Sequence, residues 1–166
     1  MFLQGRDKSG RPIGVSHVAK HDATNRNLEE LKKYYVYTLD KFVASITSGE
    51  KFIVIANLQG LQYKNLDPRG WATGFAFLQG HYPERMQKMY VLHAPYIFWG
   101  AWKILSQFID NRTREKIVFV EDKNLEVVLS KDIDKDQLPK FSGGELDLVP
   151  IQDAPTPNWP PRKQAL

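Results

Sequence analysis

The chain contains no cysteine among its 166 residues, which excludes disulfides, cysteine-ligated zinc and thiol catalysis. It has no uncharged apolar run near the roughly 20 residues that a membrane-spanning helix requires, and its first residues carry no signal-peptide segment. Basic residues outnumber acidic ones by 23 to 19, but they are scattered, and no nucleic-acid-binding motif accompanies them. These absences predict a soluble intracellular protein that does not bind nucleic acid.

Signatures of catalysis are also missing from the sequence. There is no glycine-rich phosphate loop, no Gly-x-Ser-x-Gly elbow and no His-Glu-x-x-His zinc helix. The four histidines, His17, His21, His81 and His93, do not show metal-ligand spacing, and no two carboxylates are spaced as an acid and a base. We therefore predict that the protein is not an enzyme and has neither a cofactor nor a metal.

Two kinds of apolar pattern alternate along the chain. Short β-branched runs predict strands, whereas apolar spacings of three and four predict amphipathic helices. The predicted strands cover 13–18, 52–56, 89–93 and 117–120, and the predicted helices cover 28–46, 68–81, 97–109 and 125–130. Strands that alternate with helices predict an α/β fold around a mainly parallel sheet. The strand over 52–56 is apolar at every position, which predicts burial on both faces.

Local residues mark several element boundaries. Asn27 and Asp67 are typical helix caps, and Pro68 suits the first turn of the helix that follows. Ser48-Gly49 predict the end of the first helix, and Gly143-Gly144 predict a sharp turn because glycine tolerates positive φ.

The composition shifts near the end of the chain. Five of the ten prolines lie at or beyond Pro150. This shift predicts a domain over 1–149 and an extended or disordered tail over 150–166.

Charged residues stand before two of the predicted strands. Glu84-Arg85 precede 89–93, and Lys116 precedes 117–120. If the two strands are parallel neighbours, these charges meet at one edge of the sheet. An arginine and a lysine there suit a phosphate, and a glutamate accepts hydrogen bonds from a polyol. An ion pair that only closes the sheet edge explains the same residues, and spacing alone does not decide between the two interpretations.

A stripe of large apolar side chains follows the helix predicted over 97–109. Its members are Phe98, Trp102, Leu105 and Phe108, at spacings of four, three and three. Such a stripe is typical of ordinary core packing. It equally suits the wall of a cavity for acyl chains, where each buried methylene contributes roughly 0.8 kcal/mol. Periodicity does not separate these two roles.

Four motifs, in this order, resemble those of the CRAL-TRIO lipid-binding domains, in particular the phosphatidylinositol/phosphatidylcholine transfer proteins. They are Gly5-x-Asp7-Lys8-x-Gly10-Arg11-Pro12-Ile13; His81-Tyr82-Pro83-Glu84-Arg85-Met86 leading to His93-Ala94-Pro95; Lys116-Ile117-Val118-Phe119; and Leu138-Pro139 with Phe141 and Gly143-Gly144. Each motif is short, but together they span 5–149 in the order that the family has.

The resemblance implies a mixed sheet beneath a large lipid pocket, closed by a mobile gate helix that aligns with 97–109. It implies that the pocket and gate residues are Phe98, Trp102, Leu105 and Phe108, with Phe52 and Val54 in the strand below. In members that bind phosphatidylinositol, it implies that the headgroup is held at the positions of Glu84, Arg85 and Lys116.

The chain departs from the family in two respects. Members that bind phosphatidylcholine carry hydroxyl side chains where Phe52 and Val54 stand here; this difference argues against phosphatidylcholine exchange, and the sequence alone does not decide whether it occurs. Members also usually have a helical segment before the first strand. This chain begins almost at that strand, which predicts a truncated or alternative form.

The function that the resemblance implies is non-catalytic binding and transfer of a lipid, most simply phosphatidylinositol. Two alternatives stay open: a membrane-targeting or regulatory module of phosphoinositide signalling, and a carrier of a tocopherol-, retinoid- or sterol-like ligand. The expected partners are a phospholipid and, transiently, a membrane surface, with a cytoplasmic, peripherally membrane-associated location. The sequence identifies no protein partner.

Overall fold

A five-stranded sheet organises the protein in the computed structural model, which describes residues 1–47, 49 and 51–156. The strands are β1 (Phe2–Arg6), β2 (Pro12–His17), β3 (Phe52–Asn57), β4 (Met86–Leu92) and β5 (Ile117–Val120). They lie side by side in chain order; β1 is antiparallel to β2, and every later neighbour pair is parallel. The predicted α/β fold around a mainly parallel, mixed sheet is therefore confirmed.

Helices accompany the sheet. They are α1 (Leu28–Ala44), α2 (Pro68–His81), α3 (Phe98–Leu105), α4 (Asn111–Glu115) and α5 (Leu125–Leu129). Helices α1 to α4 connect the parallel strands, and α5 follows β5. Short 3₁₀ turns cover Val18–Lys20, Tyr63–Asn65, Ser106–Phe108, Asp122–Asn124, Lys135–Gln137 and Lys140–Ser142. In the part of the chain that the structure describes, no helix is both long and apolar enough to cross a bilayer.

The two predicted helix caps are confirmed. Asn27 Oδ1 accepts hydrogen bonds from the backbone N–H groups of Glu29 and Glu30, and Asp67 Oδ1 accepts from that of Gly70 at 2.8 Å. These bonds satisfy N–H groups that have no partner within a helix. At its other end α1 stops at Ala44, before the predicted Ser48-Gly49; Ser48 lies outside the described residues.

Several predicted boundaries were wrong. Strand β1 was not predicted, and β4 begins at Met86, three residues earlier than expected. It ends before His93, whose φ of 54° is incompatible with a strand. The helix expected over 97–109 ends at Leu105 and continues as the 3₁₀ turn Ser106–Phe108.

The turn predicted at Gly143-Gly144 is present. Gly143 has a φ of +87°, a conformation that costs glycine little. A Cβ on Gly144 would collide with the carbonyl oxygen of Leu138, so the chain passes too close to itself there for a larger residue.

The two faces of the sheet have different neighbours. Ile53 and Ile55 of β3 are fully buried in a core completed by α5 and the segment around Leu138. Phe52 and Val54 point to the opposite face, toward α1 and α2. This alternation is the two-residue period of a strand, and it confirms that β3 is buried on both sides.

Ordered packing extends beyond the predicted domain boundary at 149. Pro150 forms an antiparallel bridge with Phe2, and Ile151 and Ala154 are buried. The predicted extended or disordered tail therefore does not begin at Pro150. The remainder of that predicted tail, 157–166, lies outside the described residues.

Candidate functional site

A cavity of about 490 Å³ separates one face of the sheet from α1, α2 and α3. Its floor is formed largely by apolar side chains of β3, β4 and β5: Phe52, Val54, Ala56, Met86, Met89, Val91 and Ile117. Its walls include Leu31, Tyr34, Tyr35, Thr38, Leu39 and Phe42 from α1, Trp71, Phe75 and Leu78 from α2, and Phe98, Trp102 and Leu105 from α3. The volume falls within the range typical of ligand pockets.

The structure brings together most of the predicted pocket residues. Phe98, Trp102 and Leu105 line the wall, and Phe52 and Val54 line the floor. Phe108 is placed elsewhere: it is 60% exposed and does not line the cavity. The reason is the change from α-helix to 3₁₀ turn after Leu105, which rotates later residues off the helical stripe.

The walls contributed by α1 and α2 were not predicted as part of a pocket. The sequence of α2 does contain an apolar stripe that could have predicted a pocket wall. Trp71, Phe75 and Leu78 repeat at spacings of four and three, as Phe98, Trp102 and Leu105 do on α3. Tyr34 and Thr38 lie beside the stripe that predicted α1. A periodic apolar face shows that a helix packs inward, but not whether it meets another side chain or a cavity.

A polar network lies beside the cavity where α2 begins. The buried carboxylate of Asp67 contacts His21 Nε2 at 2.9 Å and Arg26 Nε at 2.8 Å, in addition to capping α2. Burial, and then the charge of Asp67, raise the pKa of the Tyr35 phenol. Tyr35 therefore stays protonated and uncharged in the cavity wall at neutral pH.

One wall hydroxyl is incompletely satisfied. Thr38 Oγ1 is buried without a well-aligned hydrogen-bond partner. It lies beside the phenol of Tyr34, whose pKa burial raises. A buried polar atom of this kind costs free energy, and the wall of α1 is consequently not purely apolar.

The predicted charged residues meet at the edge of the sheet where β4 and β5 begin. Lys116 Nζ donates to Glu84 Oε2 at 2.7 Å, and Arg112 Nη1 lies 3.9 Å from Glu84 Oε1. The hydrogen bond from Lys116, and its charge, hold the pKa of Glu84 below the usual range. Arg85 lies at the same edge, where its carbonyl accepts from the N–H of Phe52 at 2.9 Å. The parallel strands thus place these residues together as predicted.

The backbone of Glu84 is strained. Its φ is +59°, which is uncommon for a residue with a side chain. Pro83 precedes it, and the N–H of Arg85 donates to the carbonyl of Tyr82 at 3.2 Å. These are the features of a type II β-turn, whose third position favours glycine. Backbone strain of this kind is found at functional sites, and it marks Glu84 as a candidate functional residue.

A hydrogen bond ties this turn to α1. The hydroxyl of Tyr82 donates to Asp40 Oδ1 at 2.5 Å. Burial, together with this bond, raises the pKa of Tyr82 to about 12, so the phenol remains a donor. Because Tyr82 is two residues from Glu84, the bond fixes the position of the charged turn relative to the helix above the cavity.

The model of the family described as CRAL/TRIO domain matches residues 1–144. This chain belongs to the CRAL/TRIO domain family. Its motifs, mixed sheet and cavity agree with that assignment, and the resemblance predicted from the sequence is confirmed.

The CRAL/TRIO relatives include proteins named for lipid transfer. A CRAL-TRIO domain-containing protein of Schizosaccharomyces pombe is 30% identical over 146 residues, covering 87% of this chain and 14% of the relative. A phosphatidylinositol/phosphatidylcholine transfer protein of Arabidopsis thaliana is 28% identical, covering 84% of this chain and 28% of the relative. This CRAL/TRIO chain thus spans less than a third of either relative's length.

A solved structure supports the fold. The crystal structure of Sfh5 matches with a TM-score of 0.67 and 18% sequence identity, over 86% of this chain and 53% of that one. At this identity the match establishes the CRAL/TRIO fold alone. Within the residues that the structure describes, no cluster of three or more histidine and acidic side chains is placed to hold a metal ion.

Proposed function

We propose that this CRAL/TRIO domain binds an inositol phospholipid in its cavity and transfers it between membranes, without making or breaking a covalent bond. The observation that carries the proposal is the position of the Glu84–Lys116 pair. It lies at the edge of the sheet where Met86 and Ile117, which line the cavity, begin β4 and β5. A charged headgroup site thus adjoins an apolar chamber, as an amphiphilic ligand requires.

The acyl chains occupy the chamber. Its floor and most of its walls are hydrocarbon or aromatic, and Phe98 also packs against Trp71, Trp102 and Phe119 with ring centroids 6.1–6.2 Å apart. Each methylene moved from water into such surroundings contributes roughly 0.8 kcal/mol. The apolar wall therefore supplies affinity, while the charged edge supplies selection of the headgroup.

The headgroup is recognised at the charged edge. Lys116 and Arg85 bind the phosphate, and the carboxylate of Glu84 accepts hydrogen bonds from inositol hydroxyls. Binding exchanges the observed Glu84–Lys116 ion pair for contacts with the ligand. An exposed ion pair contributes little to stability, so this exchange carries a small cost.

A choline headgroup has no comparable place in the floor. Phe52 and Val54 lack hydroxyls, and the ring of Phe52 packs against that of Phe42 at a tilt of 53°, with ring centroids 5.0 Å apart. The ring of Phe42 in turn lies directly over Gly14, where a Cβ would collide with it. Because Phe52, Phe42 and Gly14 pack tightly and offer no hydrogen-bonding side chain, this part of the floor favours ligands whose polar headgroup lies at Glu84 and Lys116.

Helix α3 is the gate and also the membrane contact. Its outward side and flanks expose Tyr96, Trp99, Ile104 and Phe108, which are 92%, 44%, 53% and 60% exposed. Aromatic residues favour the membrane interface, and the exposed Lys103 on the same helix suits an anionic lipid surface. We accordingly assign Phe108 to membrane contact rather than to the cavity wall, with a peripheral, cytoplasmic site of action.

Lipid loading tests the proposal. The purified protein is incubated with vesicles of mixed phospholipids, separated from them, and its bound lipid is identified by mass spectrometry. Lys116→Ala and Glu84→Ala should each lose phosphatidylinositol while remaining folded. Lys140→Ala is the control, because Lys140 pairs with Asp147 at the same 2.7 Å on an exposed surface. Equal loading of all four proteins would refute the headgroup assignment.

A second function, docking on a membrane without uptake of lipid, has support in the exposed apolar side chains at α3. Tyr96, Ile104 and Phe108 are 92%, 53% and 60% exposed, and a membrane-targeting module needs such a surface whether or not it extracts lipid. Vesicle binding without extraction of any lipid would favour this function. Recovery of a sterol or an isoprenoid instead of a phospholipid would favour a different cargo.

A further inference from the structure

We propose that the headgroup site continues into a second phosphate-binding site, formed by Arg112 and Lys51, so that the preferred ligand is an inositol lipid with an additional phosphate on its ring. This inference rests on the proposed function, since it extends the same headgroup site. Neither Arg112 nor Lys51 was predicted from the sequence to act in binding.

The first argument comes from the order of the strands. A basic residue stands immediately before each of three neighbouring parallel strands: Lys51 before β3, Arg85 before β4 and Lys116 before β5. Parallel neighbours begin at the same edge of a sheet. Backbone bonds place Lys51 beside Arg85, because the N–H of Phe52 donates to the carbonyl of Arg85 at 2.9 Å. Strand β5 begins three residues further along β4, where the N–H of Met89 donates to the carbonyl of Lys116 at 2.9 Å, and the side chain of Lys116 reaches back to Glu84.

The second argument is the position of Arg112. Helix α4 leads directly into β5 and carries Arg112 beside the Oε1 atom of Glu84, whereas Lys116 bonds to Oε2. The two cations therefore flank one carboxylate from different sides. The Arg112 side chain is 85% exposed, so its guanidinium is accessible to a ligand at the surface. A guanidinium binds phosphate through two parallel hydrogen bonds.

The third argument is the balance of charge. The charged groups that act on Glu84 are Lys116, Lys51 and Arg112, all cationic, and together they lower its pKa. The phosphodiester of phosphatidylinositol carries one negative charge, which Lys116 and Arg85 balance once the negative charge of Glu84 is counted. A phosphomonoester adds about 1.5 to 2 negative charges near pH 7. This added negative charge matches the two positive charges of Arg112 and Lys51.

A competition experiment tests this inference. The protein is incubated with vesicles that contain equal amounts of phosphatidylinositol and a phosphatidylinositol monophosphate, and the ratio of the two extracted lipids is measured. The unaltered protein should enrich the monophosphate. Arg112→Gln and Lys51→Gln should each lower the ratio about three- to tenfold, the effect expected for loss of one ordinary hydrogen bond. Lys123→Gln, at a 78% exposed side chain paired with Glu121, should not change it.

Several results would overturn the inference. An equal ratio in the unaltered protein and in Arg112→Gln would do so while leaving phosphatidylinositol transfer intact. Recovery of no inositol lipid would overturn the proposed function as well, so the two failures are distinguishable. In a second arm, inositol 1,4-bisphosphate and inorganic phosphate compete with the lipid. If inorganic phosphate competes as well as the bisphosphate, the basic residues form only a general anion site.

Discussion

Enlarging Ala56 tests whether the chains of the ligand occupy the cavity. Ala56 lies on β3 in the cavity floor, is only partly buried, and faces the same side as Val54. Ala56→Val adds two carbon atoms to this floor, and Ala56→Leu adds three. Because the cavity supplies room for both side chains, we expect the domain to fold and the space left for the ligand to shrink.

The expected loss of affinity follows from the displaced hydrocarbon. If each added carbon displaces one methylene of the ligand, at roughly 0.8 kcal/mol each, then valine costs about 1.6 kcal/mol and leucine about 2.4 kcal/mol. These values correspond to losses of affinity of about 15-fold and about 60-fold. Partial replacement of ligand contacts by the new side chain would reduce both values without changing their order.

The assay is titration of the protein with vesicles that contain a fluorescent phosphatidylinositol, accompanied by thermal unfolding of each variant. Ala76→Leu is the matched control, because Ala76 is exposed on α2 and does not line the cavity. A folded Ala56→Leu variant that binds as tightly as the parent would show that the chains lie elsewhere.

Three further predictions concern other parts of the molecule. Glu84→Gly should melt about 2–4 °C higher than Glu84→Ala in a thermal scan, because only glycine relieves the positive φ; equal melting would contradict the strain. Burial, and then a nearby lysine, lower the pKa of His17. The unfolded chain therefore takes up this proton first, and stability should fall below about pH 6.5, but less steeply in His17→Gln. Replacing Ile104 and Phe108, which are 53% and 60% exposed, together by serine should abolish vesicle binding in a flotation assay without lowering the melting temperature; binding equal to that of the parent would contradict the assignment of α3 to membrane contact.

The elements best predicted from sequence were those whose local signal agrees with their packing. The strand over β5 was predicted at its exact bounds, and α2 was predicted from Asp67 and Pro68 to His81. Both the cap and the proline act through neighbouring backbone atoms, so their effect does not depend on the rest of the fold. The continuous apolar run of β3 likewise reports burial on both faces directly.

The elements predicted less well depend on distant contacts. Strand β1 forms because it pairs with β2 and because Phe2 bridges to Pro150. These contacts are with residues distant from β1 in the sequence or on another strand, so the residues of β1 alone do not predict them. The early start of β4 depends on its register with Phe52. The change to a 3₁₀ turn after Leu105 removed Phe108 from the cavity wall, because helical periodicity assumes an uninterrupted helix.

The charged part of the candidate site was predictable because of strand order. Once β4 and β5 are parallel neighbours, the residues that precede them must meet, and Glu84 and Lys116 do so. Arg112 and Lys51 were missed for different reasons. Arg112 reaches the site from a five-residue helix with no sequence motif, and Lys51 precedes β3, where the resemblance to the family implies no headgroup residue.

The most direct test of the account is mass spectrometry of the lipid bound to the purified protein after incubation with mixed cellular membranes. The account predicts an inositol phospholipid, with or without a ring phosphate, at about one molecule per protein, and its loss in Lys116→Ala. Phosphatidylcholine as the bound lipid, or no lipid in a sample shown to be folded, would contradict it.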